Sequence, residues 1–283
     1  MQFGASSFIW VSPFSNKTLD LIDRVKAFGF DLIEVCIEDP DTIDSAAIHA
    51  RIQRVDLDVT ICGAFGPSRD LSSEDETVQK SGLSYLFRCI DFAEMLGSPF
   101  VSGPMYAAVG NTRLVDEDAR RAQWKRSAAN LKVAAVYAAE RSVKLAIEPL
   151  NRFETDLINT VDQGLRMVDE IAADNVGLLL DTFHMNIEEK DIPAAIRRAG
   201  DRIIEFHACS NDRGTPGEDH LPWRAITGAL RDVRYDGPVV IEAFTPEVLE
   251  IARAVSIWRP LAESQDSLAR NGLNNLRAVF EDQ

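Results

Sequence analysis

The chain has 283 residues, 46% of them hydrophobic, enough to bury the core of one large α/β domain or two small ones. Its formal charge of -15 repels polyanions, which argues against nucleic acid or an anionic membrane as partner and favours a neutral small molecule. Cys36, Cys62, Cys89 and Cys209 are scattered without a C-x-x-C pair, as buried free thiols are. Met1-Gln2-Phe3-Gly4 lacks a basic-then-apolar leader, so a cytoplasmic protein without a membrane span is expected.

In chain order, residues 2–6 read as a short first strand leading into Phe8-Ile9-Trp10-Val11-Ser12-Pro13-Phe14, an aromatic loop that either flanks a pocket or packs over a rim. Residues 18–28 set Leu19, Ile22 and Val25 near helical spacing and stop at Gly29, a natural C-terminal cap. A strand over 31–37, a helix over 45–54 and a strand over 58–63 follow, then a loop rich in Gly, Pro and Ser to residue 74. Apolar spacing predicts a helix over 78–96 ending at Gly97 and a strand over 99–104 whose loop through Gly110 can close over a site. A long helix over 116–141 follows, with the stripe Trp124, Leu131 and Ala135 facing the core.

The second half repeats the rhythm with strands ending at Glu148, Asp181, His207 and Glu242 and helices over 161–172, 192–199 and 223–233. About eight strand–helix units without a linker select an α/β fold of the (β/α)8 barrel type over a doubly wound sheet. One domain is expected over 1–283, with 246–283 a C-terminal helical segment packed outside the barrel.

Four of the hydrophobic runs end in a residue that can hold a metal: Glu148, Asp181, His207 and Glu242. They recur roughly 25 to 35 residues apart, about one βα unit. On parallel neighbouring strands all four side chains emerge at the carboxyl end and can converge on one ion. Three carboxylates with one imidazole suit Mn2+, with Co2+ or Mg2+ as alternatives, better than a structural Zn2+ site, where thiolates are usual. The open positions of such an ion can take adjacent sugar oxygens and acidify the C–H beside a carbonyl, giving a metal-held enediolate. Glu148 and Glu242, with two strands between them, can then act as base and acid on opposite faces of one carbon. Glu154, His184 and Arg213 follow the strand ends closely enough to bind sugar oxygens, although each taken singly is equally consistent with an ordinary loop residue in a salt bridge. His49 and His220 read as surface residues. The stretch 211–217 fits no P-loop and reads as a turn presenting Arg213.

Glu148 with Asn151-Arg152-Phe153-Glu154, the run Asp181-Thr182-Phe183-His184-Met185-Asn186-Ile187-Glu188-Glu189, His207 to Arg213 with Gly214-x-Pro216-Gly217, and Ile241-Glu242 resemble the D-tagatose 3-epimerase / D-psicose (allulose) 3-epimerase family. That family has the xylose isomerase-like TIM-barrel fold, and the resemblance runs nearly end to end, including Trp258-Arg259. It implies that Glu148, Asp181, His207 and Glu242 bind Mn2+ or a similar ion, with Glu148 and Glu242 also the acid/base pair. It further implies that Glu154, His184 and Arg213 hold the O1 to O3 end of a free ketohexose or ketopentose inverted at C3, in a homodimer or homotetramer. Two positions depart from the pattern. Asp156 stands where some members have tryptophan, and Ser210 where many have glutamate; both are expected near the pocket. The competing readings are an isomerase or epimerase for a keto-inositol, a 3-keto sugar or an aldose/ketose pair, and a non-catalytic sugar-binding protein.

Overall fold

The computed structural model describes residues 1–281. Eight parallel strands close into a barrel in sequential order: β1 (Phe3–Ser6), β2 (Leu32–Ile37), β3 (Asp58–Gly63), β4 (Phe100–Gly103), β5 (Lys144–Ile147), β6 (Val176–Asp181), β7 (Ile203–His207) and β8 (Val239–Ile241). Around them run α1 (Asp20–Ala27), α2 (Ser45–Val55), α3 (Glu76–Leu96), α4 (Glu117–Ala139), α5 (Val161–Ile171), α7 (Ile192–Ala199) and α8 (Trp223–Asp232), with α10 (Gln265–Glu281) against α8 and β8. The short helices α6 (Thr182–Glu188) and α9 (Leu249–Ala254) lie at the carboxyl end; α6 was not anticipated from spacing, whereas α9 falls within the helical segment expected over 246–283.

Strand residues alternate between two environments, as the pleat requires. Ile33, Val35, Ile61, Val101, Leu145 and Leu178 belong to the main core with the helix residues Ile22, Ile48, Ile90 and Leu131. The intervening residues Ser6, Glu34, Cys36, Cys62 and Ser102 face inward, and the barrel registers pair Ser6 with Glu34 and Cys36 with Cys62. Both faces of β2 and β6 are covered, so every residue in these strands is buried and their sequences read as continuous apolar runs with few exceptions.

The helix ends obey local chemistry. Gly29 and Gly97 take left-handed φ values of 88° and 79° just after α1 and α3. Asp116 caps α4 by accepting from the Ala119 N–H, and Thr160 and Gln163 form a reciprocal capping box at the start of α5.

Of the tail beyond residue 246, α10 buries Leu268, Ala269, Leu273 and Leu276, and Gly272 lets it approach Ile241 so closely that a Cβ would meet Ile241 Cδ1 at 2.9 Å. Helix α9 instead sits at the barrel mouth, where Ile251 and Ala254 line a cavity. The last two residues of the expected segment, 282 and 283, lie outside the described residues. All four cysteines are buried and free. Among the described residues no helix is long and apolar enough to cross a membrane.

Candidate active site

Asp181 and His207 are the last residues of β6 and β7, and Glu148 and Glu242 directly follow β5 and β8. This shared position brings the four together: one ligand atom of each lies within 4.8 Å of the others, and all are buried. Within that spacing the four donors can converge on a single ion. Asp181 also caps α6, its Oδ1 accepting from the Phe183 N–H at 2.6 Å. That helix carries His184 one turn onward and back over the cluster.

The cluster demands positive charge. Burial alone would lower the His207 pKa, yet Glu34 and Glu242 hold it well above the ordinary histidine value. Its Nε2 lies 3.0 Å from Glu34 Oε2, whereas Nδ1 is 3.8 Å from Glu242 and 4.0 Å from Asp181, too far for a hydrogen bond. A buried Nδ1 without a hydrogen-bond partner among the described residues, aimed at two carboxylates, fits a metal ligand whose other nitrogen donates to an orienting carboxylate. Burial, then the charge of Glu242, pushes Glu148 well above the usual carboxylate range. Burial pushes Glu242 up as well, but Arg213 and His207 outweigh it and bring Glu242 down to about 2.

Arg213 is buried and donates through Nη1 to Asp181 at 2.8 Å and to Glu242 at 2.7 Å. Its guanidinium sits 4.1 Å from the Phe183 ring centroid and 4.9 Å from that of Phe244. The backbone there has φ 67°, a left-handed conformation that costs a non-glycine residue free energy. The turn holds it: the Arg213 N–H donates to Ser210 O, and Asp212 Oδ1 accepts from both Ser210 Oγ and the Gly214 N–H.

His184 Nδ1 accepts from the Asn151 N–H at 3.0 Å, so the ring proton sits on Nε2. Burial lowers its pKa to about 3, keeping the ring neutral near pH 7. The Nε2–H therefore meets another donor, Arg213 Nη2, at 3.1 Å. Two donors converging this closely leave a place for a shared acceptor oxygen. Beside them Glu154 Oε1 accepts from Asn151 Nδ2 at 2.8 Å.

Glu148, Glu154, His184, Arg213 and Glu242 line one cavity of about 320 Å³, within the range of small-molecule sites. Its other walls are apolar, including Phe8, Phe65, Val109, Phe244, Ile251 and Val255. The loop after β4 closes over it, with Val109 N–H bonded to Phe65 O at 2.8 Å and Gly110 N–H to Glu154 O at 2.7 Å. The aromatic loop after β1 divides its roles: Phe8 lines the cavity, while Trp10 donates to Asp266 on α10 at 2.9 Å and Phe14 is buried. His49 and His220 are exposed.

The xylose isomerase-like TIM-barrel family model matches residues 22–277. A probable ketose 3-epimerase from Synechocystis sp. is 35% identical, covering 99% of this chain and 97% of the relative. An L-ribulose 3-epimerase from Mesorhizobium japonicum is 34% identical over 95% of this chain and 91% of its own length. The chain belongs to the ketose 3-epimerase family. The crystal structure of a D-allulose 3-epimerase from Methylomonas sp. superposes with a TM-score of 0.93 at 29% identity, covering 99% of this chain and 98% of that one.

Against the ketose 3-epimerase pattern, neither departure lines the cavity. Asp156 faces the loop before α4, its Oδ2 accepting from the N–H groups of Arg113 and Leu114 at 2.9 and 3.2 Å. Ser210 belongs to the turn that holds Arg213. Much of the Asp181–Glu189 signature is scaffolding: Glu188 binds Arg152 through its backbone N–H at 2.8 Å and its guanidinium at 2.9 Å, and Glu189 accepts from the Val161 N–H at 2.8 Å.

The residues missed from sequence are Glu34 and Glu205. Both lie in the middle of apolar strands and are fully buried beneath His207. Glu205 Oε2 is 3.8 Å from His207 Nε2, and both of its carboxyl oxygens lack partners among the described residues. Burial, then Glu34, raises the Glu205 pKa to about 8, so it is mainly protonated at neutral pH. The available signal was a charge inside a buried parallel strand, which must be paired or neutral.

Proposed function

We propose that this protein is a metal-dependent ketose 3-epimerase inverting C3 of a free ketohexose or ketopentose by two-base proton exchange. The observation that carries the reading is one buried point, short of positive charge, with Glu148 and Glu242 at its edge. They lie three strand positions apart in a ring of eight. Glu148, Asp181, His207 and Glu242 would hold the ion, with Mn2+ favoured by the donor set and Co2+ or Mg2+ as alternatives. Such an ion, when bound, polarises the substrate carbonyl, acidifies the adjacent C–H and favours ionised Glu148 and Glu242.

The side chains supply the rest. His184 Nε2–H and Arg213 Nη2–H converge where a ketose oxygen can accept from both. Glu154, oriented by Asn151, accepts from a hydroxyl. One glutamate takes the C3 proton, and the other delivers a proton to the opposite face of the enediolate. Which begins depends on the substrate's configuration. The apolar wall and the closing loop after β4 keep bulk water from competing for that intermediate. A cytoplasmic homodimer or homotetramer completes the proposal.

The test is incubation with Mn2+ and D-fructose, D-tagatose or D-ribulose in D2O. Deuterium at C3 together with the C3 epimer is the expected result. Deuterium only at another carbon would assign a related epimerase or isomerase, and ketose binding without exchange would assign a sugar-binding protein.

A further inference from the structure

A second group of ligands lies beside the first and plays no part in the proton exchange. Cys36 and Cys62 are register partners on β2 and β3, so their side chains leave the sheet on the same inward face. Glu34 precedes Cys36 by two residues and shares that face. One ligand atom from each lies within 4.8 Å of the other two, and all three residues are buried. Cys36 Sγ is 3.9 Å from Glu34 Oε1. A tetrahedral ion with metal–sulfur bonds of about 2.3 Å and a metal–oxygen bond of about 2.1 Å spaces two sulfurs about 3.8 Å apart and sulfur from oxygen about 3.6 Å. The Cys36–Glu34 spacing is close to that requirement.

Two further features separate this group from buried thiols with a filling role. Cys62 lines the substrate cavity, which gives an ion an entry path and a water molecule the fourth position. Glu34 divides its oxygens: Oε2 serves His207 Nε2 at 3.0 Å, while Oε1 faces the Cys36 thiol. One carboxylate can therefore serve both neighbours.

We infer that Glu34, Cys36 and Cys62 form a second metal site for a thiophilic divalent cation of the Zn2+ or Cd2+ type, opening onto the substrate cavity. On binding, two S–H bonds break, two metal–sulfur bonds and one metal–oxygen bond form, and two protons leave through the cavity. No oxidation state changes. A charge of +2 enters as two protons depart, so the net charge of the buried group stays that of the Glu34 carboxylate. Occupancy therefore avoids the cost of adding net charge to the interior. The two neighbouring sites sort ions by hardness, carboxylate oxygens taking Mn2+ or Mg2+ and thiolates taking the softer ion. A bound soft ion also narrows the cavity on the Cys62 side and slows turnover.

The test uses the full-length reduced protein preloaded with Mn2+ and titrated with Cd2+, read by thiolate-to-metal charge-transfer absorption and by calorimetry. One equivalent should produce the absorption band and reduce turnover reversibly. Cys36→Ser and Cys36→Ala should each lose most of the band, leaving at most the weaker absorption of a single Cys62 thiolate, and weaken Cd2+ binding by at least about tenfold, while Mn2+ affinity and the rate without Cd2+ stay at the wild-type level. Cys62→Ser should also lose most of the band, and Cys209→Ser should keep it. The inference is overturned by absence of a band in the wild-type protein. It is equally overturned by a band that survives both Cys36 variants at full strength, or by one that vanishes in Cys209→Ser, since Cys209 Sγ lies 3.1 Å from Asp181 and would place the thiolate at the first site.

Discussion

Around the mouth of one barrel, β5 to β8 lead into Glu148, Asp181, His207 and Glu242, whereas the loops after β1, β3 and β4 present Phe8, Phe65, Pro104 and Val109. The backbone geometry of the two halves is the same, but every carboxylate, imidazole and guanidinium lining the cavity comes from the second half, which also adds the apolar Phe244, Ile251 and Val255 after β8. An apolar wall facing a charged one excludes water from the charges and strengthens their interactions. It also orients an asymmetric ligand, drawing the oxygen-rich reacting end of a ketose to the β5–β8 side. The most severe way to break this division is to neutralise one of the two bases. Glu242→Gln is expected to reduce kcat by about 10² to 10⁴-fold, the usual weight of a positioned acid/base group. Glu148→Gln should do the same while leaving slow exchange of solvent deuterium with the epimer whose C3 proton faces Glu242. Retention of full epimerisation by either variant would eliminate the two-base scheme.

The next prediction concerns the support of the charged half. Glu34 Oε2 fixes the proton of His207 on Nε2 and leaves Nδ1 free to act as a ligand. Glu34→Gln removes that preference and should weaken Mn2+ binding by about 10 to 100-fold, with kcat at saturating metal changed far less. Calorimetric titration of chelator-stripped protein measures it. An unchanged Mn2+ affinity would reduce Glu34 to a packing residue.

A smaller effect is expected where the halves meet at the substrate. Arg213→Lys keeps the charge but loses the planar fork between Phe183 and Phe244 and the second donor near His184. KM for the ketose should rise about tenfold, the cost of one charged hydrogen bond, with a smaller change in kcat. A fall in kcat alone, with KM unchanged, would instead move Arg213 from ground-state binding to the reaction step.

The barrel and the four strand-end residues were legible because each signal was local. Strand-ending Glu148, Asp181, His207 and Glu242 recur in phase with the βα unit, and the caps at Gly29 and Gly97 follow from backbone sterics. Glu34 and Glu205 stayed hidden because each meets His207 only after the barrel closes, and apolar neighbours masked each charge in sequence. Helix α6 was missed for a related reason: it is short, and its position depends on packing at the mouth rather than on a long amphipathic stripe; α9 falls within the helical tail expected over 246–283 but packs at the mouth rather than outside the barrel. The same limit applied to Asp156 and Ser210, whose distance along the chain from site residues said nothing about which way their side chains point.

Asp156 gives the smallest predicted effect and the sharpest boundary for the charged half. It follows Thr155 in the loop beyond Glu148, yet its carboxylate turns away from the cavity to accept from the Arg113 and Leu114 N–H groups. Asp156→Ala therefore removes two partly exposed hydrogen bonds and no cavity contact. The loss should be about 1 kcal/mol of stability, a Tm decrease of about 2 to 4 °C. Both kcat and KM should stay within about twofold, because surface changes of this size do not propagate through a close-packed barrel. A changed ratio of rates between D-fructose and D-ribulose in this variant would show that the segment reaches the substrate in solution, and the apolar side of the mouth would then share substrate selection with a polar loop.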